Sequence, residues 1–251
     1  TGGIKPVIID RGIFKKYNIL FNGELFMGRF FWADPQSRSA FAIAESGYPF
    51  IAAAGFATLV FALVGIASLA IAGLAVTFFI CWFFRDPDRI TPDEPEAVIS
   101  AADGKVVSVR TVEQNPFVQG RCVQVGVFMN IFNVHVNRIP CTGRISEIRY
   151  FSGGFKAANL ESASAENEQN ALIIQTYNGF EIAAVQIAGM VARRIICTAA
   201  EGQEFTAGQR FGMICFGSRV DLYLPENTRP AVSKGDKVRA GASIIGYLPE
   251  S

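Results

Sequence analysis

The chain contains a single histidine, His135. That excludes zinc centres built on two or three histidines and leaves one candidate for any imidazole base. The five cysteines, Cys81, Cys122, Cys141, Cys197 and Cys215, form no CxxC pair. They read as buried thiols of a reducing compartment, neither a disulfide framework nor a metal knuckle. Charge is scarce too. Of 251 residues 18% are charged, the net charge is +1, and no basic surplus exists for a nucleic-acid surface. A disordered chain is equally excluded, because half the residues are hydrophobic. The largest absence is local: from Ser46 to Phe84, 39 consecutive residues carry no Asp, Glu, Lys or Arg.

As one helix that stretch would be roughly 58 Å long, nearly twice a hydrocarbon core of about 30 Å. Two short spans joined near Gly65–Gly73 fit better, with Arg29 and Arg38 before them and Arg85 and Arg89 after. By the positive-inside tendency, both ends then face the cytoplasm. The block starts late and no cleavage site follows it, which argues against a signal peptide. A helical hairpin buried in a soluble core is the alternative. The chain thus divides into an N-terminal segment (1–45), a membrane hairpin (46–84), a connector (85–97) and a large C-terminal domain (98–251). Pro87, Pro92 and Pro95 among five acidic residues make the connector stiff and solvated, not helical.

The C-terminal domain reads as mainly β. Arg121–Met129 and Ala171–Tyr177 alternate in polarity, and Asn178-Gly179 joins the second run to another, a strong hairpin signal. Ala157–Asn170 is the one plausible helix, and a weak one. An internal repeat runs through the end of the domain: EGQEFTAGQRFGMI (201–214) matches KGDKVRAGASIIGY (234–247), with Gly202 and Gly208 answering Gly235 and Gly241. A fainter echo links DGKVVSV (103–109) to TGRISEI (142–148). Such units predict a flattened β-barrel or sandwich with pseudo-symmetry, behind an α-helical hairpin. Biotinyl and lipoyl carriers are also built from such units, but their lysine motifs MKM and DKA are missing here.

Taken singly, the polar candidates are weak. A lone histidine in a strand, as in NIFNVHVNRIP, is more often packed than catalytic. Asp103-Gly104 alone means a turn, and Gly217-Ser218 alone signifies nothing. In order along the chain they carry more. FFRDP (83–87), AADGKV (101–106), NVHVNRIP (133–140), GGFKAANLESASAENEQN (153–170) and RFGMICFGSRVDLYLP (210–225) together resemble the phosphatidylserine decarboxylases, especially their short bacterial and archaeal form. The resemblance covers roughly residues 48–251. Residues 1–26 have no counterpart in it and are expected to be a leader before a natural start at Met27.

The resemblance implies a proenzyme that cuts itself between Gly217 and Ser218. The Ser218 hydroxyl would attack the Gly217 carbonyl, and elimination and hydrolysis would leave a pyruvoyl group at 218. The products would be a β chain ending at 217 and an α chain, 218–251. Decarboxylation of phosphatidylserine to phosphatidylethanolamine would pass through a Schiff base to that pyruvoyl group, with no metal and no external cofactor. His135 would be the acid–base group, since imidazole titrates nearest neutrality, and Asp103 would orient or polarise the self-cleavage apparatus. Arg138 and Lys156 are the candidates for binding substrate phosphate.

One departure matters. The longer members of the family carry two histidines three residues apart in this motif; aligned through Pro140, His135 holds the first place and Arg138 the second. Arginine accepts no proton at physiological pH. Either His135 serves both reactions, or self-cleavage relies on Asp103, strain and an oxyanion site. Dual use is the favoured reading. The implied setting is the inner membrane of a bacterial-type cell, with the catalytic domain facing the cytoplasm. Its implied partners are phosphatidylserine, membrane lipid and the two chains of one precursor, with homo-oligomerisation left open. The alternatives are a membrane-tethered, non-enzymatic carrier or adaptor module, and a pyruvoyl decarboxylase acting on a soluble amino acid.

Overall fold

The computed structural model describes residues 20–21, 24–25, 30–32, 42–158, 163–190, 194–215 and 217–249. The expected leader over 1–26 lies almost wholly outside these, as do Arg29 and Arg38. Short strands β1 (Leu20–Phe21), β2 (Glu24–Leu25) and β3 (Phe30–Trp32) precede α1 (Tyr48–Leu63) and α2 (Ala67–Phe83). The two helices pack side by side. They turn at Gly65 (φ +81°), the near end of the predicted junction. Neither has a polar face, and almost all of their large apolar side chains point outward, Leu63 being 78% exposed.

The connector contains no helix, as expected, but it is docked, not solvated. Its strand β4 (Ile90–Pro92) pairs with β3. Asp86 is buried between Arg138 and Arg210, and Thr91 is fully buried. Of the acidic residues that made this segment look solvated, Asp86 is held by buried Arg138 and by Arg210, while Asp88 and Asp93 remain exposed.

The domain itself is β, in the order β5 (Ala97–Ile99), β6 (Gly104–Val112), β7 (Cys122–Met129), β8 (Val136–Arg138) and β9 (Gly143–Phe151). The short helix α3 (Ala163–Glu166) leads to β10 (Gln169–Thr176), β11 (Glu181–Ile187) and β12 (Ile195–Cys197). Then come β13 (Glu204–Phe205), β14 (Arg210–Ile214) and β15 (Ser218–Pro225). The chain closes with β16 (Arg229–Pro230), β17 (Lys237–Val238) and β18 (Ile244–Tyr247). The helix expected over 157–170 is one turn among its described residues. The Asn178-Gly179 hairpin joins β10 to β11, with Gly179 at φ +84°.

Eight strands form one antiparallel sheet in the order β13-β9-β10-β11-β15-β7-β6-β17, flanked by three-stranded sheets β12-β14-β8 and β16-β18-β5. The repeat read from the sequence is its symmetry. Phe205 pairs with Gly143 at one edge as Val238 pairs with Gly104 at the other. The four repeat glycines all adopt positive φ, from +71° to +109°, a conformation open mainly to glycine. Both echoes are therefore one two-fold device.

The main core gathers Val125, Val127, Leu172, Ile174, Ile182 and Leu222 on the concave face. A smaller cluster around Phe117, Val185 and Tyr223 covers the other face, so β15 is buried on both sides. Each such side chain contributes about 1.5–3 kcal/mol on burial. All five cysteines are free; burial pushes the Cys122 thiol up to about 11 and Cys141 up to about 12, so both are inert at neutral pH.

Candidate active site

β15 starts at Ser218, whose register partner is Met129 at the end of β7. Gly217, just before it, sits at φ +69° with open space around a notional Cβ, so conformation and not room calls for glycine. Ser218 is fully buried, and among the described residues its Oγ has no hydrogen-bond partner. Leaving a buried hydroxyl unsatisfied costs roughly 1–3 kcal/mol.

The peptide bond between Gly217 and Ser218 is seated on another glycine. A Cβ at Gly189 would collide with the Gly217 carbonyl oxygen, approach its carbon to 2.7 Å and lie 3.5 Å from the Ser218 nitrogen. Gly189 follows β11 and is held from behind. Asn167 Nδ2 donates to the carbonyls of Ala188 and Lys156, and its Oδ1 accepts from the Lys156 N–H, each at 2.8 Å. Lys156 and Asn167, from the two sides of the 153–170 motif, are thus pinned behind the bond expected to break.

His135 lies between β7 and β8, and its carbonyl accepts the N–H of Ile214 at 3.3 Å, four residues before Ser218. The ring is fully buried, and neither nitrogen completes a hydrogen bond. Its face meets Phe83, the last residue of α2, with centroids 4.3 Å apart. Burial, opposed by the Asn133 backbone and helped by the Arg85 charge, lowers its pKa to about 4. At pH 7 the ring is neutral and can accept a proton.

Asp103 reaches the same end of the sheet through the Ala101–Gly104 bend, where the Ala101 carbonyl accepts from the Arg138 N–H at 3.0 Å. Its Oδ2 accepts from Arg89 at 2.9 Å and its Oδ1 from the Ala240 N–H at 2.7 Å. Burial raises its pKa while Arg89 and the Ala240 N–H pull it down. Both oxygens are occupied away from His135, and no hydrogen bond joins the two residues. The structure therefore brings Ser218, His135 and Asp103 to one end of the sheet without linking them as a hydrogen-bonded triad.

The two candidate phosphate ligands are placed differently. Arg138 is buried and donates to Asp86 and to the carbonyls of Gly208 and Pro87, which ties the connector to the domain. Lys156 is half exposed and ion-paired with Glu166 on the surface.

Two polar systems were invisible in sequence. Gln186 donates to Asn137 Oδ1 at 2.9 Å and accepts from Asn170 at 3.0 Å, a buried amide chain that ends two residues from His135. Next to Ser218, fully buried Arg219 bonds Asp221 and, at 2.8 Å, Ser108. Gln124 donates to Asp221 at 2.6 Å. Only the apolar surroundings of these residues in their strands could have signalled them.

Around the foot of the helices, Arg85 stacks on Trp82, 4.4 Å from the ring centroid, and donates to the Phe132 carbonyl at 2.6 Å. A turn closed by Asn130 and Asn133 holds Phe132 outward at 63% exposure, beside partly exposed Ile131. A groove of about 670 Å³ opens at this foot, lined by Ser46, Tyr48, Asp86, Val136, Arg210 and Met213 among others.

The family model described as phosphatidylserine decarboxylase matches residues 76–246. A phosphatidylserine decarboxylase proenzyme of Geotalea uraniireducens (strain Rf4) is 45% identical over 207 residues, 82% of this chain and 97% of the relative. The proenzyme of the same name from Burkholderia mallei (strain SAVP1) is 47% identical over 208 residues, 83% of this chain and 96% of its own length. That from Syntrophus aciditrophicus (strain SB) is 44% identical over 205 residues, 81% and 96% of the two chains.

Proposed function

Since the chain belongs to the phosphatidylserine decarboxylase family, we propose that it is a precursor that cuts itself between Gly217 and Ser218 and then converts phosphatidylserine to phosphatidylethanolamine. The observation that carries this reading is the buried, partnerless Ser218 hydroxyl beside a left-handed glycine. A catalyst that stayed a serine in this pocket would have no use for an unsatisfied Oγ.

Self-cleavage balances with the groups present. Ser218 Oγ attacks the Gly217 carbonyl carbon, its proton passes to a base, and the acyl group moves from nitrogen to oxygen. Loss of the Ser218 α-proton then expels the Gly217 carboxylate and leaves dehydroalanine. One water replaces that residue's nitrogen as ammonia, giving a pyruvoyl group. The pocket suits the acyl shift: the hydroxyl is buried, the preceding carbonyl is fixed on Gly189, and among the described residues no side chain crowds Gly217. When formed, the group supplies an electron sink for the pair released with CO₂.

The chain's own residues do the rest. His135, neutral and dry, takes the Ser218 proton and later serves proton transfer at the substrate α carbon. Its lowered pKa favours the accepting form, and no second imidazole competes for either task. Asp103 acts on the site as an anchor, fixing its bend between Arg89 and Ala240. Arg138 holds the connector, so Lys156 is the better-placed cation for phosphate, being partly exposed. The apolar helices seat the domain on the membrane that holds the lipid substrate, with the domain on the cytoplasmic side. Phe132, Trp82 and Tyr48 mark the contact plane beside His135.

Conversion of phosphatidylserine in mixed micelles tests the proposal. Wild type is expected to release CO₂ and phosphatidylethanolamine, and Ser218→Ala to release neither. Turnover by folded Ser218→Ala would refute the role of Ser218, and a processed wild type inert toward phosphatidylserine would refute the substrate.

A further inference from the structure

We infer that the α1–α2 hairpin is a wedge that enters one leaflet and ends inside the hydrocarbon, without crossing the bilayer. The inference rests on the membrane attachment proposed above and concerns how deep the hairpin goes.

Its reach is short. With its leading turn the first helical stretch, Glu45–Leu63, has 19 residues, long enough by itself for a membrane span, and α2 has 17, about 26–29 Å of helix. Part of that length belongs to the domain. Phe83 and Phe84 are buried, Ile80 packs beside them, and Phe50 stacks on Phe84 with centroids 5.5 Å apart. What protrudes is about 20 Å, against a hydrocarbon core of about 30 Å.

The two ends of the hairpin also differ in chemistry. The foot carries the features of a membrane interface: Tyr48 and Trp82 half-exposed, Arg85 over Trp82, Glu45 entering α1, and Phe132 alongside. The tip carries none of them. Leu63, Val64 and Ile66 are exposed there at 78%, 67% and 41%, and Ser68 is the nearest polar side chain. A tip in the far headgroup layer would leave these apolar groups among water and phosphates.

Part of the backbone at the tip is satisfied within the hairpin. The N–H groups of Val64, Gly65, Ile66 and Ala67 donate to Val60, Ala62, Phe61 and Gly65 at 3.0–3.2 Å. Lower down, the Thr58 and Thr77 hydroxyls donate to carbonyls of their own helices. A turn within hydrocarbon must satisfy its polar groups internally, and this one does so for those four donors.

Sided labelling of the full chain tests the depth. Leu63→Cys and, separately, Val64→Cys are treated with a membrane-impermeant polyethylene-glycol maleimide in inverted and in right-side-out vesicles. Glu226→Cys on the domain surface reports orientation, and the parent's native thiols set the background. Both tip cysteines are expected to stay at background in either orientation and to label almost fully in detergent. Labelling from the face opposite the domain would overturn the wedge in favour of two crossings while leaving membrane attachment intact. Labelling from the domain's own face, together with Glu226→Cys, would overturn both. As a second readout, Leu63→Trp in a Trp32→Phe, Trp82→Phe background is reconstituted with brominated lipids. Quenching is expected to be strongest for bromines deep in the acyl chains. A maximum at bromines nearest the headgroups would refute the wedge.

Discussion

If His135 is the neutral base of this site, acid should destabilise the fold through it. The unfolded ring titrates near 6.5 and the folded ring near 4. Above pH 6.5 the ring is neutral in both states and favours neither. Below 6.5 the unfolded chain binds a proton that the folded chain refuses, so stability falls as pH drops and stops falling near 4. The full loss is about 3 kcal/mol, and most of it, about 2 kcal/mol, falls between pH 7 and 4.5. The perturbation is His135→Asn in a Ser218→Ala background, which keeps the chain whole. Denaturant unfolding in detergent, followed by fluorescence at pH 7 and 4.5, gives both stabilities. Other groups, Asp103 among them, titrate in both proteins and cancel in the comparison. The parent is expected to lose about 2 kcal/mol more than His135→Asn over this range. Equal losses would mean that His135 is charged or solvated in the folded state, and the argument for it as base would fail.

Three other substitutions probe the rest of the site. Gly189→Ala is expected to stop self-cleavage in a chain that still folds, because the methyl would displace the Gly217 carbonyl; a denaturing gel with circular dichroism checks this, and normal processing would refute the seat. Asp221→Ala strands the buried Arg219 charge and is expected to destabilise by about 3–5 kcal/mol, measured by denaturant unfolding. A change below about 1 kcal/mol would show that the pair is solvated. Lys156→Met is expected to raise KM for phosphatidylserine several-fold with kcat nearly unchanged, and an unchanged KM would remove Lys156 from phosphate binding.

Much of the fold could be read before the structure was seen. Alternation and Asn178-Gly179 located β7, β10 and β11; the turn, which requires positive φ, left the direct mark, whereas the strands themselves are buried at almost every position. The glycine repeat located the symmetric edges for the same reason. The connector was misread because acidic residues and prolines carry no sign of the distant arginines that bury Asp86. Of the proposed site, Ser218, His135 and Asp103 were singled out by the order of their motifs, and the structure places them at one end of the sheet. What binds them was not. Arg138 read as a substrate ligand because an arginine's partner is invisible until the chain folds. Gly189 was missed because its role is the space it leaves beside residue 217, and empty space leaves only a glycine in the sequence.

The central claim is that Ser218 becomes the head of a separate chain. Intact-mass measurement of purified wild type beside Ser218→Ala tests it most directly. The wild type is expected as two chains, 1–217 and 218–251, the smaller refusing Edman degradation, and the variant as a single chain of 27.2 kDa. A wild type that remains a single chain yet converts phosphatidylserine would contradict the account.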